Sequence, residues 1–175
     1  MSPAASAELV AARLRDVPDF PEPGILFKDI TPLLADAEAF AAVVRDLAAV
    51  TPDVDLVAGV EARGFLIAGA IAVELGCGLV PVRKAGKLPP PTMRAAYDLE
   101  YGSAEIEVPV GVLDGKRVLL VDDVLATGGT MRAAADLISH AGASVTALAV
   151  ILELGFLDGR AALHGLAPLT VLLTV

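Results

Sequence analysis

One run restricts what this chain can fold into more than any other: Val118-Leu-Leu-Val-Asp122-Asp123-Val-Leu-Ala126-Thr127-Gly128-Gly129-Thr130. Its four leading apolar residues do not alternate with polar ones, so a strand here has no wet face. Strands of that kind belong to parallel sheets covered by helices on both sides. The glycines open into a predicted helix over 130–141, ended by Gly142. Strand and helix alternate in the same way from residue 55 onward. Strands are expected over 55–60, 79–83, 116–121, 145–152 and 169–175, and helices over 65–75 and 158–164. This order predicts α/β architecture, with a central parallel sheet flanked by helices in a single domain over residues 1–175.

Two regions depart from that grammar. Before residue 55, Ser2 can cap a helix to about Asp16, and Asp36 caps another to about Val50. Between them Pro18, Pro21, Pro23 and Gly24 force an extended loop, and 25–31 is a short strand or strand-like turn. The second region is 86–109. Three prolines, Pro89 to Pro91, lead into segments where Glu105, Ile106, Glu107 and Val108 alternate polar and apolar. This predicts an exposed antiparallel hairpin or flap, with Glu105 and Glu107 as solvent-facing carboxylates.

Composition narrows the function. The net charge of -9 argues against a nucleic-acid partner, which needs clustered Lys and Arg. Cys77 is the single cysteine, and His140 and His164 are the two histidines, so neither a thiolate zinc site nor a His-based triad is visible. The apolar window 64–82 contains Glu74 and breaks at Pro81, which reads as buried helix plus strand rather than a membrane span. The amino terminus has no signal-peptide pattern, and a cytoplasmic location is expected. The chain has no Asn and no Gln, so side-chain amides cannot read a purine edge here.

The chemistry concentrates in 122–130. Glycines let backbone N–H groups approach an anion, and a helix start adds positive dipole. Two carboxylates beside a phosphate cradle repel phosphate unless something else needs them. A ribose does, because carboxylates accept hydrogen bonds from its hydroxyls. Residues 111–117 mimic a Walker loop, but the spacing is one residue short and the run precedes a strand. The sugar-phosphate reading therefore rests on Asp122, Asp123, Ala126, Thr127, Gly128, Gly129 and Thr130.

These residues resemble the phosphoribosyl-diphosphate (PRPP) signature of the type I phosphoribosyltransferases. Four other stretches narrow the resemblance to the adenine-specific branch of that family, in the same order along the chain. They are Phe20-Pro-Glu-Pro-Gly-Ile-Leu-Phe-Lys-Asp-Ile-Thr31, Glu61-Ala-Arg-Gly-Phe65, Val82-Arg-Lys-Ala-Gly-Lys-Leu-Pro89 and Tyr97-Asp-Leu-Glu-Tyr-Gly102. The resemblance implies a Rossmann-like type I fold with an N-terminal hood over 1–34 and a flexible catalytic flap over 86–109. It implies that adenine and PRPP become AMP and diphosphate, with magnesium held through PRPP and water near Asp122 and Asp123 rather than by direct protein ligands.

Site roles follow from the same resemblance. Ala126 to Thr130 would hold the 5-phosphate, and Asp122 and Asp123 the ribose. Arg63, Arg83, Lys84 and Lys87 would meet diphosphate, with Arg83 reaching toward a neighbouring subunit of a homodimer. Ala85 stands where relatives often carry a second arginine. Leu26, Phe27 and Lys28 would bind adenine, the first and last through backbone groups and Phe27 by stacking; Phe27 fits a core aromatic equally well. Glu100 and Tyr101 would close over the substrates, Glu100 exchanging a proton with adenine N7. Two other readings stay open at this stage: a transferase for another purine base, and a PRPP-sensing regulator without catalysis.

Overall fold

A computed structural model describes residues 3–51, 53–99 and 102–175. Its first elements are α1 (Pro3–Arg13), β1 (Arg15–Pro18), β2 (Leu26–Asp29), α2 (Thr31–Ala35) and α3 (Ala37–Ala48). The sheet-forming part follows with β3 (Leu56–Val60), α4 (Gly64–Leu75), β4 (Gly78–Lys84), β5 (Thr92–Leu99), β6 (Gly102–Pro109) and β7 (Arg117–Leu125). The chain ends with α5 (Gly129–His140), β8 (Ser144–Glu153), a 3-10 turn at Gly155–Leu157, α6 (Gly159–Ala162) and β9 (Leu169–Thr174). Seven strands form one sheet in the order β5-β6-β4-β3-β7-β8-β9, and β1 pairs with β2 in a separate ribbon. From β4 to β9 every pairing is parallel, while β6 and β5 add an antiparallel edge.

The central strand behaves as its composition demands. Val118 and Leu120 enter a core shared with Met131, Leu137 and Ile138 of α5, whereas Leu119 and Val121 enter a second core with Val43, Leu47, Ile67 and Ile71 of α3 and α4. All four β7 residues are fully buried. Burial at this level contributes about 1.5–3 kcal/mol per large aliphatic side chain. Among the described residues no helix is long and apolar enough to cross a membrane. Asp36 caps α3 as expected, accepting hydrogen bonds from the amides of Glu38 and Ala39.

Several expectations change. Residues 15–18 form a strand rather than the end of the first helix and the start of the loop, because they find an antiparallel partner that local sequence cannot show: Arg15 pairs with Asp29 and Pro18 with Leu26. Pro18 is tolerated as the last residue of an edge strand. Strand β7 runs past the acids to Leu125, since β8 continues alongside as far as Glu153 and satisfies its backbone. Residues 158–164 are a four-residue helix with His164 in the exposed turn beyond it. The hairpin β5–β6 is not free-standing. Strand β6 pairs with β4 through Arg83↔Glu107 and Lys84↔Ile106, and Ile106 and Val108 are buried. Glu107, expected to face solvent, is 0% exposed.

Candidate active site

The site forms where β3, β4 and β7 end, at the carboxyl edge of the parallel sheet. Residues 126–128 link β7 to α5. Gly128 adopts φ of 83°, and a Cβ there would lie 2.5 Å from the Gly159 carbonyl oxygen and 2.9 Å from Ala162 Cβ. Only glycine lets this loop press against α6. Gly159 matters reciprocally, because its own Cβ would collide with the Ala126 carbonyl oxygen. No side chain caps α5, so the N–H groups at its start keep their donors for a bound anion. A cleft of about 80 Å³ lies here, lined by Asp122, Ala126, Thr127, Gly128, Gly129 and Thr130. The Thr130 hydroxyl donates to the Tyr97 hydroxyl at 3.2 Å, which seats the hairpin on the loop.

Asp122 and Asp123 stand in different surroundings. Asp122 Oδ1 accepts from the Asp123 amide at 2.8 Å. Gly64 is packed so closely that a Cβ there would come within 2.9 Å of the same oxygen. Burial, and then the charge of Asp123, push the Asp122 carboxyl well above its usual range, against a smaller opposing pull from Arg63. Asp123 faces Arg63, whose Nε lies 2.7 Å from Oδ2. That contact is close but poorly aligned: Asp123 Oδ2 and Arg63 Nη1 are both buried without a hydrogen bond. Unmet capacity of this kind at the mouth of a cleft suits a polar ligand.

Arg63 also lies over the ring of Phe27, 5.0 Å from its centroid, and Phe20 packs against that same ring in a T-shaped contact, with centroids 5.1 Å apart. Phe27 is half-buried rather than a core aromatic. A cleft of about 280 Å³ gathers Leu26, Phe27 and Lys28 with Arg63, Asp123 and Ala126. The Lys28 ammonium is engaged by Asp16 at 2.7 Å, so its backbone is the part left for the cleft. Val124 and Leu154 complete the wall. Leu154 escaped the sequence reading because only the pairing of β8 with β7 carries it to this place.

The cationic loop after β4 is organised by two carboxylates. Glu61, at the Glu61–Ala62 cis peptide, accepts from Arg83 Nε at 3.2 Å, Arg83 Nη2 at 3.3 Å and the Lys84 amide at 3.0 Å. Its carboxyl is held below the usual range, chiefly by Arg83. Arg83 also donates to the Lys87 carbonyl at 3.1 Å. Lys84 and Lys87 are exposed. The second carboxylate is Glu107, held down to about 2 by the Leu88 and Lys87 amides despite its burial. Glu100 and Tyr101 lie outside the described residues.

Comparison with known proteins is consistent along almost the whole chain. Residues 30–161 match the profile of the phosphoribosyl transferase domain. Adenine phosphoribosyltransferase of Streptomyces coelicolor is 58% identical over 180 residues, covering 99% of this chain and 98% of the relative. Among solved structures, adenine phosphoribosyltransferase from Rhodothermus marinus superposes with a TM-score of 0.93 at 42% identity, covering 98% and 99% of the two chains. The Saccharomyces cerevisiae enzyme, solved with an imino-altritol bisphosphate and adenine, gives a TM-score of 0.89 at 38% identity, covering 97% and 99%.

Proposed function

The chain belongs to the adenine phosphoribosyltransferase family, and on that premise we propose how its residues carry adenine and PRPP to AMP and diphosphate in purine salvage. One observation carries the reading. The cleft that holds Leu26, Phe27 and Lys28 is also lined by Arg63, Asp123 and Ala126, so a base and a ribose donor meet in one place. Phe27 offers its face to the base, and the backbone of Leu26 and Lys28 offers a donor and an acceptor to its edge. The amides of 126–130 and the Thr127 hydroxyl take the 5-phosphate, joined by the Thr130 hydroxyl once its proton turns away from Tyr97. Asp122 and Asp123 accept hydrogen bonds from the ribose hydroxyls, while Arg63, Arg83, Lys84 and Lys87 neutralise diphosphate.

In the reaction, adenine N9 forms its bond to C1 of the ribose as the bond from C1 to diphosphate oxygen breaks. With adenine bound as its N7–H tautomer, which leaves the N9 lone pair free, Glu100 takes the proton from N7 as the bond forms, and Tyr101 closes with it over the site. The cations hold the electron pair that leaves with diphosphate, and the closed hairpin excludes water from the electron-poor sugar. Magnesium fits this donor set: Asp122 and Asp123 are oxygen ligands suited to a hard cation, and Asp123 Oδ2 has open capacity. The ion would be held through PRPP oxygens and water near the two aspartates. When bound, the ion would balance the charge of PRPP and of the departing diphosphate.

A homodimer is part of the proposal. Leu66, Val73 and Leu79 are 57%, 83% and 45% exposed along α4 and the adjoining β4, an apolar surface suited to a self-complementary contact. Arg83 lies farther along β4, which fits its assignment to a site shared between subunits. We assign the reaction to the cytoplasm, where a chain with one unpaired cysteine, Cys77, is at home. Purified protein with PRPP, magnesium and adenine should release diphosphate and form AMP. Turnover with hypoxanthine in place of adenine would overturn the base assignment, and PRPP binding without turnover of any base would favour a sensor.

A further inference from the structure

Glu107 has no part in the chemistry above, yet among the described residues it is the most completely engaged carboxylate in the hairpin. Its side chain is 0% exposed. Oε1 accepts from the amides of Lys87 and Leu88, each at 2.7 Å. Oε2 accepts from the Thr92 hydroxyl and from Arg94 Nε, each at 3.1 Å. Donors from the loop after β4 and from the start of β5 therefore converge on one group in β6. Pro89, Pro90 and Pro91 have no N–H to tie this loop to a strand, and the Glu107 side chain supplies the tie instead. On the far side Arg83 grips the Lys87 carbonyl at 3.1 Å.

We propose that Glu107 is a positioning residue that fixes the loop between β4 and β5 so that Lys87 meets the diphosphate of PRPP. The inference rests on the diphosphate role of Lys87 proposed above. The site demands a carboxylate rather than any polar side chain. The Lys87 and Leu88 amides on Oε1 and Arg94 Nε on Oε2 can only donate, and a glutamine carries one acceptor oxygen, so its NH₂ would confront a donor whichever way it turned. A carboxylate so surrounded keeps its charge at all working pH values, and the loop geometry does not titrate.

The test is a cycle of Glu107→Gln, Lys87→Ala and the double variant, with KM measured separately for PRPP and adenine. Glu107→Gln should raise the PRPP KM about tenfold and the adenine KM less than about twofold, as a displaced charge would. The double variant should fall short of the product of the two single effects, because both act through one contact. If Lys87→Ala leaves the PRPP KM unchanged, the diphosphate role of Lys87 fails and the inference with it. If Lys87→Ala acts but Glu107→Gln does not, the inference alone fails. Equal changes in both KM values, or effects that multiply in full, would make Glu107 a general stabiliser and overturn the proposal. Should Glu107→Gln not fold, Thr92→Val keeps the carboxylate and removes one donor. It should raise the PRPP KM about two- to threefold with the same failure to multiply, and a nonselective change would overturn the proposal.

Discussion

In the proposed site Asp122 serves the ligand at a cost to the fold. Its carboxyl is pushed up by burial and by Asp123, so the folded protein holds a proton there more tightly than the unfolded chain does. The stability this confers is fully present below the ordinary value of 3.8 and is lost as pH climbs from there through the raised one. Asp122→Asn removes the buried charge and keeps the shape. In protein free of PRPP and metal, the variant should melt a few degrees higher at neutral pH, since about 1 kcal/mol moves a domain of this size by roughly 2–4 °C. The advantage should shrink as pH falls toward 3.8, the ordinary value for Asp. PRPP affinity should drop in the same variant, measurable by calorimetry. A lower melting temperature at neutral pH would contradict the assigned cost of the charge.

Elements meet at this site through glycines. Loop 126–128 rests against α6 because Gly128 and Gly159 have no Cβ, and the turn into α4 rests against β7 because Gly64 has none. Gly128→Ala combines a left-handed φ with a contact to backbone, which cannot yield as a flexible side chain can. The expected loss is about 1–3 kcal/mol of stability, read by denaturant unfolding, together with weaker PRPP binding. Gly24→Ala supplies the control. Its φ is also positive, at 88°, but no atom lies within 4 Å of the added Cβ, so only the conformational part of the cost applies. Equal losses at both positions would show that packing against α6 is unimportant.

At the scale of the molecule, the sheet order carries distant segments to one edge. Residues 26–28, 63, 122–130 and 154 are far apart in sequence and line two adjoining clefts that share Val124 and Ala126. The opposite requirement, covering the apolar stripe of α4, falls to a second copy in the proposed dimer. Val73→Glu places a charge where the exposed stripe is most open and disturbs no core contact. It should yield a monomer in light scattering, with lower turnover because Arg83 no longer serves the neighbouring site. A dimer that survives Leu66→Glu and Val73→Glu together would exclude this face.

Local sequence determined what local physics controls. An unalternating apolar strand must be buried on both faces, glycines before a helix must leave amides free, and Asp36 must cap α3; these were readable in 118–130 and at residue 36. The proposed sugar-phosphate cradle was legible for that reason, since its parts sit in one contiguous run, whereas the cations proposed for diphosphate lie outside it. Tertiary structure decided what depends on a partner distant in sequence. Residues 15–18 became a strand only because 26–29 lie opposite, and Leu154 reached the cleft only because β8 follows β7. Glu107 shows the limit most clearly. Its alternation with Ile106 and Val108 is the pattern of a solvent-facing carboxylate, and it became buried because the proline-rich loop folded over it and aimed the Lys87 and Leu88 amides at it.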